Sequence, residues 1–150
     1  MEAHLHAMNS IEEGKIFIDT NIFIYSVDNR DQTKKTFAQE LIDKAFKSQR
    51  LTISFQVVQE FINTATRLGL SKPFNLNSFC LNVLFPVWDI YPTRDLYLKA
   101  IEIQERYQYS FYDSMIIAAA LERNCKTLYS EDLQHDQKIE SLTIIDPFKT

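Results

Sequence analysis

Glycine and proline are scarce, with two Gly and four Pro among 150 residues. That leaves little room for long irregular loops, and no low-complexity tract, internal repeat or linker marks a second domain. Cys80 and Cys125 are too few and too distant in sequence for a disulfide framework or a thiolate zinc site. They are expected as reduced, buried thiols of a cytoplasmic protein. The longest apolar run is the seven residues from Met115 to Leu121, far below the ~20 needed to span a bilayer, so no membrane segment is expected. Residues 1–14 lack the apolar core of a signal peptide. This polar start, with His4 and His6, is expected to be a disordered extension with Met8 as an alternative start, and residues 15–150 to form one domain. Positive charge is not in excess either. A net charge of -4 excludes a protein that coats nucleic acid by bulk electrostatics. A nucleic-acid enzyme stays open only if basic residues gather locally beside an acidic, cation-binding centre.

What the chain does hold is apolar text, 45% hydrophobic and 13% aromatic, arranged in two periods. Ile16-Phe17-Ile18, Leu51-Thr52-Ile53, Trp88 to Tyr91, Lys126 to Tyr129 and Leu142 to Ile145 read as short strands. Between them the spacing of three and four predicts helices. One runs from about Asp31 to Ser48, one from Ser54, as cap, to about Leu68, one from Pro73 to Pro86, and one after Thr93. The last, around Met115 to Leu121, is apolar on every side and so expected to be buried on every side. Asn124 suits the left-handed end of that helix. Strands alternating with helices predict an α/β fold with a central, mostly parallel sheet flanked by helices on both faces.

Three acids sit where such a fold does its chemistry. Asp19 and Asp132 follow strand C-termini, and Asp113, in the first turn of the buried helix, is expected to be stabilised by the helix N-terminus and held inside the fold; parallel neighbours bring these points to one sheet edge. Glu60 joins them if its helix packs beside the first strand, although a solvated rim position is the commoner fate of such a residue. Asp19 or Thr20 could equally serve only to cap the next helix. Clustered carboxylates repel, and a divalent cation removes the conflict. All-oxygen ligands suit Mg²⁺ or Mn²⁺, which can acidify a water and neutralise a phosphoryl oxygen.

Four motifs in this order, Ile16-Phe17-Ile18-Asp19-Thr20-Asn21, Val57-Val58-Gln59-Glu60-Phe61, Tyr112-Asp113-Ser114-Met115-Ile116-Ile117-Ala118-Ala119-Ala120-Leu121 and Leu128-Tyr129-Ser130-Glu131-Asp132-Leu133, resemble PIN-domain ribonucleases, in particular VapC-type toxins of toxin-antitoxin pairs. The resemblance covers nearly the whole chain after residue 14. It implies a Mg²⁺- or Mn²⁺-dependent single-strand RNA endonuclease, a homodimer, and inhibition by a cognate antitoxin. It puts Asp19, Glu60, Asp113 and Asp132 on the family's metal-binding acids, and Asn21 and Ser130 on supporting polar positions.

Glu131, adjoining Asp132, is an alternative ligand, and His135 an alternative base whose commoner fate is exposure to solvent. Lys34, Lys35, Arg50, Arg67 and Arg94 are scattered candidates for phosphate contacts. The rival from another class is a catalytically inactive PIN-like interaction module that binds a partner protein or a structural cation. A phosphatase using Asp19 as nucleophile would want a second aspartate at the place held by Asn21, and a phosphorylated receiver domain rests on fold alone.

Overall fold

The first strand, β1 (Lys15–Ile18), is the middle of everything that follows. Its Ile16, Phe17 and Ile18 are buried, as expected of a strand covered on both faces, whose side chains form an unbroken apolar run and not an alternation. In the computed structural model, which describes residues 14–70 and 73–149, β1 pairs in parallel with β2 (Leu51–Ser54) on one side and β4 (Cys125–Tyr129) on the other. β3 (Trp88–Ile90) adds in parallel to β2, and β6 (Leu142–Ile145) in parallel to β4. A two-residue β5 (Lys138–Ile139) pairs antiparallel with β6, completing the order β3-β2-β1-β4-β6-β5. β5 is too short to register as an alternating pattern, which is why the sequence does not announce it.

Six helices among the described residues accompany the sheet. α1 (Thr20–Tyr25) starts directly off β1 with Asp19 as its N-cap. α2 (Gln32–Lys47) begins at Asp31, whose side chain accepts from the Lys34 amide, and carries Lys44 and Lys47 in its last turn, complementing the helix dipole at both ends. α3 (Phe55–Leu68) ends at Gly69 in the left-handed conformation, φ 59°, that glycine adopts without penalty. The predicted Pro73 to Pro86 helix is broken up: α4 (Leu76–Phe79) gives way to a π-helical turn over Cys80–Leu84 and a 3-10 turn over Phe85–Val87, because Pro86 lacks the amide that would continue the ladder. α5 (Arg94–Tyr107) and α6 (Phe111–Glu122) start at the caps Thr93 and Ser110.

α6 is buried from Ser114 through Ala120, as its all-round apolar composition requires, and Asn124 takes φ 55° just past its end. Ser54 occupies the N-cap position of α3, but its hydroxyl makes no capping bond and is buried without a partner. Both cysteines are free and buried, and burial pushes the Cys125 thiol up to about 12. No helix among the described residues is long and apolar enough to cross a membrane. The expected extension lies, up to residue 13, outside the described residues.

Candidate active site

Asp19 leaves β1 with its amide still bonded to the carbonyl of Tyr129 at 2.9 Å, so it is aligned with the end of β4. Its two carboxylate oxygens are divided. Oδ1 accepts from the Thr20 amide at 2.7 Å, and Oδ2 accepts from the Ser130 hydroxyl at 2.8 Å. The residue is 6% exposed. Burial drives its pKa up to about 7; the Ser130 and Thr20 hydrogen bonds oppose that, and the charges of Glu60 and Asp132 add to it. Capping and cleft placement therefore coexist in one carboxylate.

The other three acids come from three more elements. Glu60 is on α3, where its Oε1 accepts from the Thr20 hydroxyl at 3.1 Å. Gln56, one turn earlier, donates to the Tyr112 carbonyl at 3.0 Å and ties α3 to the start of α6. That brings Asp113, whose amide donates to the Ser110 cap at 3.2 Å, to the same side. Asp113 is partly exposed at the cleft wall, not enclosed as its place on a buried helix suggested, since the first turn of α6 projects past the core. Asp132 is exposed, and its amide donates to the Ser130 hydroxyl at 3.2 Å.

All four carboxylates line one cleft of about 480 Å³. Burial raises the pKa of Glu60 and of Asp113. The Thr20 bond opposes this for Glu60 and the Ser110 bond for Asp113, while neighbouring acids reinforce it: Asp113 and Asp132 for Glu60, Asp132 for Asp113. Asp19, Glu60 and Asp113 are all raised, with neighbouring acids adding to the effect of burial, so the carboxylate end of the cleft is a negative well.

Asn21 also lines the cleft; its Nδ2 is buried without a partner, while Oδ1 stands 3.5 Å from the Glu131 amide. Glu131 faces a different set of groups. Its carboxylate accepts from the Tyr25 phenol and pairs with Lys34, each at 2.5 Å, and Lys34 also lies over the rings of Tyr25 and Phe148. His135 accepts the Asp146 amide on Nδ1 at 3.0 Å and lies outside the cleft lining. Of the five cations considered from sequence, Arg67 lines the cleft and Lys34 is held by Glu131. Sequence reasoning passed over Thr20 as a partner of Glu60, and over Asn63 and Thr64. A signal for the latter two existed: they stand three and four residues after Glu60, on the same helix face, with Arg67 at seven.

The donor set is all oxygen, as hard divalent cations prefer. Among the described residues no three His, Cys, Asp or Glu side chains close into a ready-made metal cage. An open, carboxylate-rimmed cleft with mutually repelling acids fits an ion such as Mg²⁺, which keeps several of its waters and takes few protein ligands.

The PIN domain family profile matches residues 16–139. Over 76 residues, half of this chain, the sequence is 29% identical to Ribonuclease VapC23 of Mycobacterium tuberculosis. That match spans 60% of the relative's length. The fold is similar to a toxin-antitoxin complex from Klebsiella pneumoniae, with a TM-score of 0.65 at 16% identity over 91% of this chain and 100% of that one. It is also similar to VapC20 of Mycobacterium tuberculosis, described as a sarcin-ricin loop cleaving toxin, with a TM-score of 0.60 at 21% identity over 77% and 88% of the two chains. At such identities the structural likeness speaks for the fold alone, whereas the profile spans most of the chain from β1 to β5: this protein belongs to the PIN domain family.

Proposed function

We propose that this protein is a Mg²⁺- or Mn²⁺-dependent single-strand RNA endonuclease and the toxin of a toxin-antitoxin pair, acting in the cytoplasm as a homodimer that a cognate antitoxin silences. The nuclease domain is residues 15–150. One observation carries the reading: four carboxylates from four separate elements line one cleft, and the most buried of them, Asp19, is pushed up to about 7. A fold does not hold such repulsion without a use for it. Similarity to a protein named Ribonuclease VapC23 and to a toxin-antitoxin complex supports the assignment of substrate and partner.

Asp19, Glu60, Asp113 and Asp132 would hold the cation. When bound, such an ion supplies positive charge that acidifies a water and offsets charge on the phosphoryl oxygens. The rest is done by the chain. Ser130 keeps the Asp19 carboxylate oriented and its charge accessible, because a hydrogen bond to the ionised form favours that form. Thr20 does the same for Glu60. Asn21 lines the cleft, and its Nδ2, the one of its two polar side-chain atoms without a partner, is a donor suited to a phosphate or sugar oxygen.

The test is cleavage of a labelled single-stranded RNA by the purified protein with Mg²⁺ or Mn²⁺. Asp19→Asn and Asp113→Asn should each lower cleavage by at least ~10²-fold, and a chelator should abolish it. Undiminished cleavage by both variants would remove these residues from the mechanism. A wild-type protein that cuts nothing yet binds its partner regardless of chelator would be an interaction module.

A further inference from the structure

Glu60 is the first of five α3 residues that line the cleft; the other polar ones are Asn63, Thr64 and Arg67, and Leu68 ends the row. The spacing of three, four and seven puts them on one helix face, extending ~10 Å along the axis from Glu60 to Arg67. Their side chains are open to a ligand. Asn63 and Arg67 are exposed and Thr64 partly so, and among the described residues none of the three has a side-chain hydrogen bond or ion pair. Thr66, by contrast, is exposed outside the cleft and bonds its hydroxyl back to the Ile62 carbonyl at 2.8 Å.

The cleft has two cations among its described lining residues, and they differ. Arg30 is clamped by Asp28, with Nε 3.0 Å from both carboxylate oxygens and a terminal nitrogen at 2.6 Å, so its charge is offset. Arg67 has no carboxylate partner. It completes the last turn of α3, where a cation also favours the helix C-terminus, but that role does not require it to line a cleft. Beyond it the cleft continues. Asp28, Arg30 and Leu68 line both the carboxylate cleft and a second hollow of about 220 Å³ that runs on to Gly69 and Leu70.

We propose that the Asn63-Thr64-Arg67 face of α3 is a phosphate track along which the RNA strand leaves the carboxylate cluster. Arg67 grips a phosphate neighbouring the scissile one. This rests on the nuclease reading above. The acids end at Glu60, and one turn further on the same helix begins the only stretch of cleft wall, among the described residues, that carries an unoffset guanidinium. A planar fork suits a phosphate diester, and Asn63 and Thr64 add neutral donors for the sugar-phosphate chain between the two points. Arg67 is thus a positioning residue, with no contact to the reacting atoms.

The test compares wild type, Arg67→Gln, Arg67→Lys and, as a control outside the cleft, Arg94→Gln on a short single-stranded RNA. Arg67→Gln should raise KM about tenfold with kcat within about twofold. It should also lower the slope of log affinity against log salt by about 0.7, the signature of one lost phosphate contact on a single strand. Mn²⁺ affinity should not change. Arg67→Lys should restore the slope while recovering only part of the KM, and Arg94→Gln should match wild type. If wild type cuts RNA and Arg67→Gln has the same KM and slope, the track is wrong and the nuclease reading stands. If wild type neither binds nor cuts RNA, both fall. A loss confined to kcat or to Mn²⁺ affinity would also overturn the track, since it would place Arg67 in support of the acids.

Discussion

Ser130 donates its hydroxyl to Asp19 Oδ2 at 2.8 Å, joining the ends of two parallel strands that lie 111 residues apart in the chain. The Ser130 hydroxyl oxygen in turn accepts the Asp132 amide at 3.2 Å. One side chain therefore sets the spacing between two of the four acids. Ser130→Ala should leave Asp19 without the hydrogen bond that most opposes its burial, raise its pKa further, and weaken divalent-cation affinity 10- to 100-fold. Titration with Mn²⁺, followed by water proton relaxation, measures this directly. An unchanged affinity would mean that the acids hold their places without Ser130.

Asp19 also makes stability depend on pH in a particular direction. Its folded pKa lies at about 7, above the 3.8 of an unperturbed aspartate, so the folded state binds the proton more tightly than the unfolded state. The resulting stability is fully present below about pH 3.8 and is lost as pH rises through about 7. At ~1.4 kcal/mol per pH unit the effect is on the order of 4 kcal/mol, and the raised Glu60 and Asp113 act in the same sense. Urea unfolding in metal-free buffer should show a protein less stable at pH 8 than at pH 5.5. Asp19→Asn should flatten that dependence and be the more stable form at pH 8, and Mg²⁺ should stabilise wild type at pH 8 in proportion to its occupancy. A wild-type profile that rises from pH 5.5 to 8 would contradict the burial of this carboxylate.

Glu131 and Asp132 should separate cleanly under mutation. Glu131 is held by Lys34 and Tyr25, so Glu131→Gln should keep cleavage within about tenfold of wild type and cost about 1 kcal/mol of stability, the size of a partly exposed ion pair. Asp132→Asn should lose ~10²-fold or more in cleavage with little change in stability. Steady-state cleavage and thermal melts of the two variants decide the matter. The reverse pattern would make Glu131 the ligand.

The fold was legible because its signals are local. Ile16-Phe17-Ile18 reads as a buried strand from three residues, and it is one; Met115 to Leu121 reads as a fully buried helix from seven, and it is buried through Ala120 with Leu121 partly so. Asn124 needed only its position after that helix to indicate a left-handed residue. The acids at strand ends could be placed at one sheet edge once the strands were taken as parallel, which they are for β1 and β4. Glu60 could not be settled in this way. Rim and cleft look alike on a helix, and what decides is that Gln56 ties α3 to Tyr112 and Thr20 reaches Glu60 from α1. Asp113 was expected deeper than it is, because helix burial was read as uniform from its first turn.

By itself the order of residues determined the period of every long element and the chain positions where a strand hands over to an acid, since periods of two and 3.6 are set by neighbours a few residues away. Residue type and position alone left Glu131 as an alternative to Asp132, which only the family resemblance favoured. Only the tertiary structure turned one toward Lys34 and Tyr25, 97 and 106 residues distant, and the other toward the cleft. Burial and the field of remote charges are sums over groups that meet only when the chain is folded, and those sums decide which carboxylates share a hollow and how readily each gives up its proton.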